Sequence, residues 1–285
     1  MHSKGSSRRR SDSIIHGASI HPRRSLGQNF LRDDNICRKI VAAVDPQPGD
    51  MMLEIGPGEG ALTKYLAPRV RSLTVVDVDE RVIRKMQREY PDGSVEVLQE
   101  DFLTTDFSRL TSNRPHFLRI VGNIPYNITT PILFHILDHR FAVRDVTLMM
   151  QKEVASRLAA RCGTKDYGIL AVFCQLFADT RVLFDVSPNA FHPKPTVRSS
   201  VVTLAILPRP RYRLDDEAFF RRMVRAVFGK RRKTLRNSLS YFAEAEHAVL
   251  PELPNPKQRP EELSVEELVG LGNYLRGQMV GAVSF

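Results

Sequence analysis

The sequence predicts an α/β protein: a twisted, mostly parallel sheet with helices on its faces, followed by a small all-helical C-terminal unit. Three observations predict it. Short β-rich runs alternate with helical patterns between residues 51 and 206, the order expected of βαβ units. The first of these runs ends in a glycine-rich turn that opens the next helix. After Leu207 the composition changes, first to a Pro/Arg stretch and then to apolar residues at helical spacing.

Residues 1–22 begin MHSKGSSRRRSDS and are expected to form a disordered basic tail. A first strand is expected over Met51–Ile55, then Leu73–Val76, Val95–Leu98, Leu118–Val121 and Val146–Met150. Helices are expected at Ala61–Leu66, Glu80–Tyr90, Thr130–Leu137, Glu153–Ala160 and Ile169–Phe177. Val182–Asp185 and Ser200–Ile206 form a late strand pair. This places a first domain at 23–207. A second, helical one covers 208–285, with Phe219, Phe220, Met223, Val224, Val227 and Phe228 on one face, Leu235 and Leu239 in a second helix, and Leu263, Leu268, Leu271 and Leu275 in a third.

Charge is the outlier of an otherwise ordinary composition. The 285 residues carry a net charge of +10, which favours a polyanionic partner. The excess is local. Residues 1–44 hold 9 basic and 3 acidic side chains, 45–203 hold 19 of each, 204–241 hold 11 and 3, and 242–285 hold 3 and 7. Arg221, Arg222, Arg225, Lys230, Arg231, Arg232, Lys233 and Arg236 are therefore expected to present a positive helical face to nucleic-acid phosphates, with Arg23 and Arg24 beside them. Cys37, Cys162 and Cys174 have no paired spacing for a disulfide framework or zinc site. His135 and His139 have i, i+4 spacing but no third ligand nearby. No metal is expected. The chain shows no apolar run long enough for a bilayer and no secretory core, so a cytoplasmic protein away from membranes is expected.

The turn after the first strand reads EIGPGEG, with Gly56, Gly58 and Gly60. It is neither the dinucleotide fingerprint nor a phosphate loop, since the last glycine is one residue early and no Lys-Ser/Thr follows. Asp77 closes the second strand, where a carboxylate can accept from both hydroxyls of a ribose. Asp101 follows the third, within reach of an adenine amino group. A ligand with a ribose and an adenine but no phosphates fits, and S-adenosylmethionine also brings a sulfonium cation suited to carboxylates.

GNIPYNITTP follows the fourth strand. Methylating an exocyclic base amine requires its lone pair to be turned toward the methyl group. The Asn123 amide oxygen and the Ile124 carbonyl can accept its two N–H groups, Pro125 fixes the turn, and Tyr126 can stack on the base. No strong general base is needed, because the nitrogen becomes acidic only as it is methylated. Phe191, before a Pro-rich turn, is the expected aromatic for the other face of the flipped base.

These pieces occur together with SLGQNFL (25–31), LEIGPGEGALT (53–63), QKEVASRLAA (151–160), KDYGILAV (165–172), FHPKPTVRSSVV (191–202) and FGKRRKTLRNSL (228–239). In this order they resemble the ribosomal RNA adenine dimethyltransferase family, in its bacterial small-subunit branch. The resemblance implies a Rossmann-like, class I S-adenosylmethionine-dependent methyltransferase sheet of seven strands with a small all-helical C-terminal domain. It implies dimethylation of the N6-amino groups of two adjacent adenosines in the 3′-terminal hairpin of small-subunit (16S) rRNA, within an immature 30S particle, by a monomer. Carried over by motif, Asn29, Leu31, Gly56, Asp77 and Asp101 would contact the cofactor and Asn123 would bridge cofactor and target. Two positions depart from the family pattern: Asp77 stands where Glu is frequent, and Arg198 where an acidic residue is frequent. A related methyltransferase acting on large-subunit (23S) rRNA, and a non-catalytic assembly or transcription factor on the same fold, are the alternatives.

Overall fold

The structure is a computed structural model that describes residues 20–23, 26–230 and 233–281. In chain order its first elements are β1 (Phe30–Leu31), α1 (Asp34–Val44), β2 (Met51–Ile55), α2 (Thr63–Leu66), β3 (Ser72–Asp77), α3 (Glu80–Glu89), β4 (Val95–Gln99), α4 (Phe107–Thr111) and β5 (Leu118–Asn123). They are followed by α5 (Thr129–Asp138), β6 (Val143–Gln151), α6 (Lys152–Leu158), α7 (Ile169–Phe177), β7 (Ala178–Val186), β8 (Phe191–His192) and β9 (Ser199–Ile206). The C-terminal helices are α8 (Glu217–Phe228), α9 (Leu235–Ala245) and α10 (Val265–Gly281).

Seven strands form one sheet in the order β4-β3-β2-β5-β6-β9-β7. The first five pair in parallel, and β9 runs antiparallel to both β6 and β7. Strand order reverses between β2 and β5, and a crevice opens there at the carboxyl ends of the strands, as in other open α/β sheets. Both faces are covered. Met52, Val75 and Val121 pack with Ile40, Val41, Leu66 and Met86 on one side, while their neighbours Leu53, Val76 and Ile120 pack with Ile136, Leu148 and Phe173 on the other. This period-two alternation is the reason short β-branched runs settle as central strands.

Four elements are additional to the expected set: α1, the short α4, and the strands β1 and β8. α1 starts at Asp33, whose carboxylate accepts from the Asn35 and Ile36 N–H groups, and it buries Cys37, Ile40, Val41 and Val44. β1 and β8 form a separate two-stranded antiparallel ribbon, pairing Phe30 with His192 and Leu31 with Phe191.

Both ends of the expected sheet domain are tied to neighbouring chain. Ile20 is buried and its N–H donates to Glu59 Oε1 at 3.1 Å, while the His21 carbonyl accepts from Arg81 at 2.8 Å. Ile20 and His21, expected in the disordered tail, thus pack on the body; residues 1–19 of that tail lie outside the described residues. At 207/208 the chain is docked rather than loosely linked. Leu207 N–H donates to the Phe177 carbonyl (2.9 Å), Arg211 N–H to the Leu176 carbonyl (2.8 Å), and the Arg211 side chain reaches Asp179. One apolar cluster runs without a break from Leu53 and Ile120 in the sheet, through Phe173 and Phe220, to Leu268 and Leu275 in α10. The helical unit thus shares the core of the sheet domain.

Candidate active site

The crevice at the strand reversal is a cavity walled by the turns after β2, β3, β4 and β5 and roofed by residues 26–31. Each wall has a local cause. After β2, Gly56 and Gly58 adopt φ of +62° and +56°, a region that side chains disfavour, so backbone lines the turn. A Cβ at Gly58 would sit 2.8 Å from the Phe30 ring, so the roof rests directly on this turn. At the base of the reversal, Gly122 lets β5 approach β2: a Cβ there would lie 2.7 Å from the Ile55 carbonyl oxygen.

Asp77 ends β3 and lines the cavity. Its carboxylate accepts from the Asp79 N–H at 2.8 Å, and burial pushes its pKa up to about 6. Asp101 also lines the cavity; one oxygen caps the short turn Phe102–Thr104 by accepting from Leu103 N–H at 2.9 Å, leaving the other for a ligand. Sequence reasoning passed over three further carboxylates in the wall, Glu54, Glu59 and Glu100. Glu54, 2% exposed in β2, accepts from the Thr63 hydroxyl at 2.7 Å and is pushed up to about 7 by burial. Glu100 keeps its buried Oε1 without a hydrogen-bond partner among the described residues. The signal for Glu54 was present, since one acidic residue interrupts the apolar run MMLEI. With Glu59, five carboxylates line the cavity, and among the described residues no lysine or arginine does.

Asn123 ends β5 and its amide nitrogen donates to the Asn29 carbonyl at 2.8 Å, which aims the amide oxygen away from the roof. The Pro125 carbonyl accepts from Ile128 N–H (3.3 Å) and the Thr129 hydroxyl (3.2 Å), so the acceptor left to this turn is the Ile124 carbonyl. Tyr126 lines the cavity with its hydroxyl 2.7 Å from Ser199 Oγ, and burial raises its pKa. Asn29 and Leu31 line the roof. The roof is latched by Gln28, whose amide nitrogen donates to Asp79 Oδ2 at 3.0 Å; Asp79 in turn pairs with Arg81, which holds its carboxyl well below the usual range.

The structure thus gathers Asn29, Leu31, Gly56, Asp77, Asp101, Asn123, Ile124, Pro125 and Tyr126 around one cavity. It does not bring Phe191 there. Phe191 is 5% exposed, pairs through its backbone with Leu31, and packs in the core beside Ala190 and Val201, because β8 is held against β1. The basic cluster also divides. Arg221 is largely buried and pairs with Glu217 and Asp138 (2.5 Å), and Arg222 grips Glu246 with two bonds of 2.8 Å, so both serve helix packing. Arg225, Lys230, Lys233 and Arg236 are exposed with no salt bridge among the described residues. Arg231 and Arg232 lie outside the described residues, as does Arg24. His135 bonds the Thr105 carbonyl at 3.2 Å and packs edge-on against Phe107, and no metal-binding group occurs among the described residues.

The donor set fits S-adenosylmethionine. Asp77 and Asp101 offer acceptors where ribose and adenine would lie, Glu100 offers an unsatisfied one, and a desolvated acidic wall favours a cation over a phosphate. Sheet order and cavity together define a class I S-adenosylmethionine-dependent methyltransferase. The profile of the family described as ribosomal RNA adenine dimethylase matches residues 20–275, and the chain belongs to that family. Similar curated proteins include the ribosomal RNA small subunit methyltransferase A of Aromatoleum aromaticum, 43% identical over 263 residues (92% of this chain, 97% of the relative). The protein of the same name from Chlorobium phaeobacteroides strain BS1 is 47% identical over 257 residues (90% and 95%). Among solved structures, a dimethyladenosine transferase from Plasmodium falciparum superposes with a TM-score of 0.68 at 25% identity (87% of this chain, 96% of that one). The 23S rRNA methyltransferase ErmE gives 0.61 at 28% identity (85% and 100%).

Proposed function

We propose that this protein dimethylates the N6-amino groups of two adjacent adenosines in the 3′-terminal hairpin of small-subunit (16S) rRNA within an immature 30S particle, as a cytoplasmic monomer. The observation that carries the small-subunit assignment is the 43–47% identity over at least 90% of the chain to small-subunit methyltransferases, against 28% to the large-subunit enzyme ErmE. S-adenosylmethionine supplies the methyl group. Asp77 holds the ribose, Asp101 the adenine edge, and the Gly56 turn lets the donor lie against bare backbone. Asn123 Oδ1 and the Ile124 carbonyl accept the two N–H groups of the target amine, drawing its lone pair out of conjugation and toward the donor. The bond from Asn123 to the Asn29 carbonyl keeps the amide in the accepting orientation. Tyr126 stacks on the base that has left the hairpin. Arg225, Lys230, Lys233 and Arg236, with Arg231 and Arg232, bind RNA phosphates.

The test is transfer of labelled methyl groups from S-adenosylmethionine to unmodified small subunits and to large subunits, followed by mapping of the modified base. Transfer to small-subunit adenosines is expected. An Asn123→Ala variant should lose it, by at least about a hundredfold for a preorganised acceptor, while still binding the donor. Label on large-subunit RNA, or on neither, would overturn the proposal.

A further inference from the structure

We propose that Ser199 is a positioning residue for methyl transfer, acting through Tyr126; the proposal rests on the reading of Tyr126 as the residue that stacks on the target base. Tyr126 opens a three-residue 3-10 turn, Tyr126–Ile128, with no side-chain cap. The turn leads directly into α5, so the backbone fixes only the root of the side chain. The far end of the ring is held instead by Ser199, whose Oγ lies 2.7 Å from the phenol oxygen. Ser199 is fully buried at the first position of β9. It is in register with Gln151 of β6 on one side and Val186 of β7 on the other, so its backbone is paired on both edges. The hydrogen bond therefore spans the carboxyl end of β6 and clamps the catalytic turn after β5 to a rigid point two strands away.

The consequence is geometric. Stacking depends on the tilt and offset of the ring relative to the base, and transfer depends on the base lying in line with the methyl donor to within fractions of an ångström. The Tyr126 side chain is half-buried, so without Ser199 the hydroxyl must find another partner by tilting the ring. Ser199 does not itself line the cavity and meets the lining through Tyr126, so it would not affect the donor directly.

The experiment compares wild type, Ser199→Ala, Tyr126→Phe and the double variant in full-length protein. Steady-state transfer to unmodified small subunits is measured, with S-adenosylmethionine titrated. Each single variant is expected to lower kcat by about two- to tenfold, the worth of one neutral hydrogen bond, with KM for S-adenosylmethionine unchanged. The double variant should be no slower than the slower single one, because both remove the same bond. Wild-type kcat in Ser199→Ala, or effects that multiply in the double variant, overturns the proposal. Should Ser199→Ala melt early, Tyr126→Phe decides alone, and wild-type kcat there overturns it. A second readout does not use activity. In protein labelled with 3-fluorotyrosine, the 19F signal missing from Tyr126→Phe must shift in Ser199→Ala, and an unmoved signal overturns the proposal. Absence of transfer by wild type would sink the functional reading instead, and the 19F result would still judge this one.

Discussion

Asp77 and Glu54 show how single carboxylates in this cavity trade stability for binding. Both are held above their ordinary values, at about 6 and about 7, and burial is the first cause for each. Between about pH 4 and 7 these two groups therefore hold more protons in the folded chain than in the unfolded one, and the stability they contribute falls as pH rises through that window, while the lowered pKa of His135 works the other way. Denaturant unfolding at pH 4.5 and 7.5 checks this, and Glu54→Gln should remove its share of the slope. Donor binding should run the opposite way. If ionised Asp77 holds the ribose, affinity rises with pH through about 6 and then levels. Asp77→Asn should weaken binding by about ten- to a hundredfold, the range for hydrogen bonds to a charged group, and abolish most of that pH dependence in calorimetric titrations. An affinity that is flat from pH 5 to 8 in wild type would contradict the role.

Among the elements, the glycine turn and the roof form one unit, because Phe30 occupies the space that a side chain at Gly58 would need. Gly58→Ala adds a left-handed conformation costing about 1–2 kcal/mol and displaces Phe30. The expected result is a lower Tm together with weaker S-adenosylmethionine binding, whereas loss of Tm alone would separate the roof from the cavity. The five parallel strands were legible because alternation and glycine punctuation mark central strands strongly. α1 was legible in principle, since Cys37, Ile40, Val41 and Val44 recur at i, i+3, i+4 and i+7 behind a capping Asp33. The β1–β8 ribbon was not. Each strand is two residues long and the partners are about 160 positions apart, so neither carries a periodic signal and only tertiary pairing defines them. That pairing is also why Phe191 looked like a cavity residue in the sequence yet packs inside.

At the scale of the whole molecule, the core has no seam where the composition changes. Arg140 pairs with Glu217 and Arg221 with Asp138, and the Phe173 and Phe220 rings meet edge to face at 6.1 Å, all across the 207/208 boundary. A chain cut after Leu207 would expose Phe173, Phe177 and their neighbours. It should be unstable or aggregate, and a soluble, cooperatively melting 20–207 fragment would refute the shared core. The basic cluster illustrates what charge counting alone conceals: Arg221 and Arg222 are spent on carboxylates that only folding brings near. Neutralising Lys230, Lys233 and Arg236 together should weaken RNA binding and flatten its dependence on salt, by up to about one unit of slope per lost phosphate contact, with donor affinity unchanged. The same reductions after Arg221→Ala would instead reflect a damaged helix interface.

The roof has a consequence in time. Two methyl groups on each of two adenosines require the donor to be replaced repeatedly for every RNA completed, and residues 26–31 roof the cavity that would hold it. The Gln28 bond to Asp79 and the Asn123 bond to the Asn29 carbonyl both tie down this roof. Gln28→Ala should shorten donor residence by about fivefold, the value of a single hydrogen bond of ~1 kcal/mol, as read by stopped-flow dissociation. The same short roof would thus set both how long the donor stays and how the Asn123 amide is held.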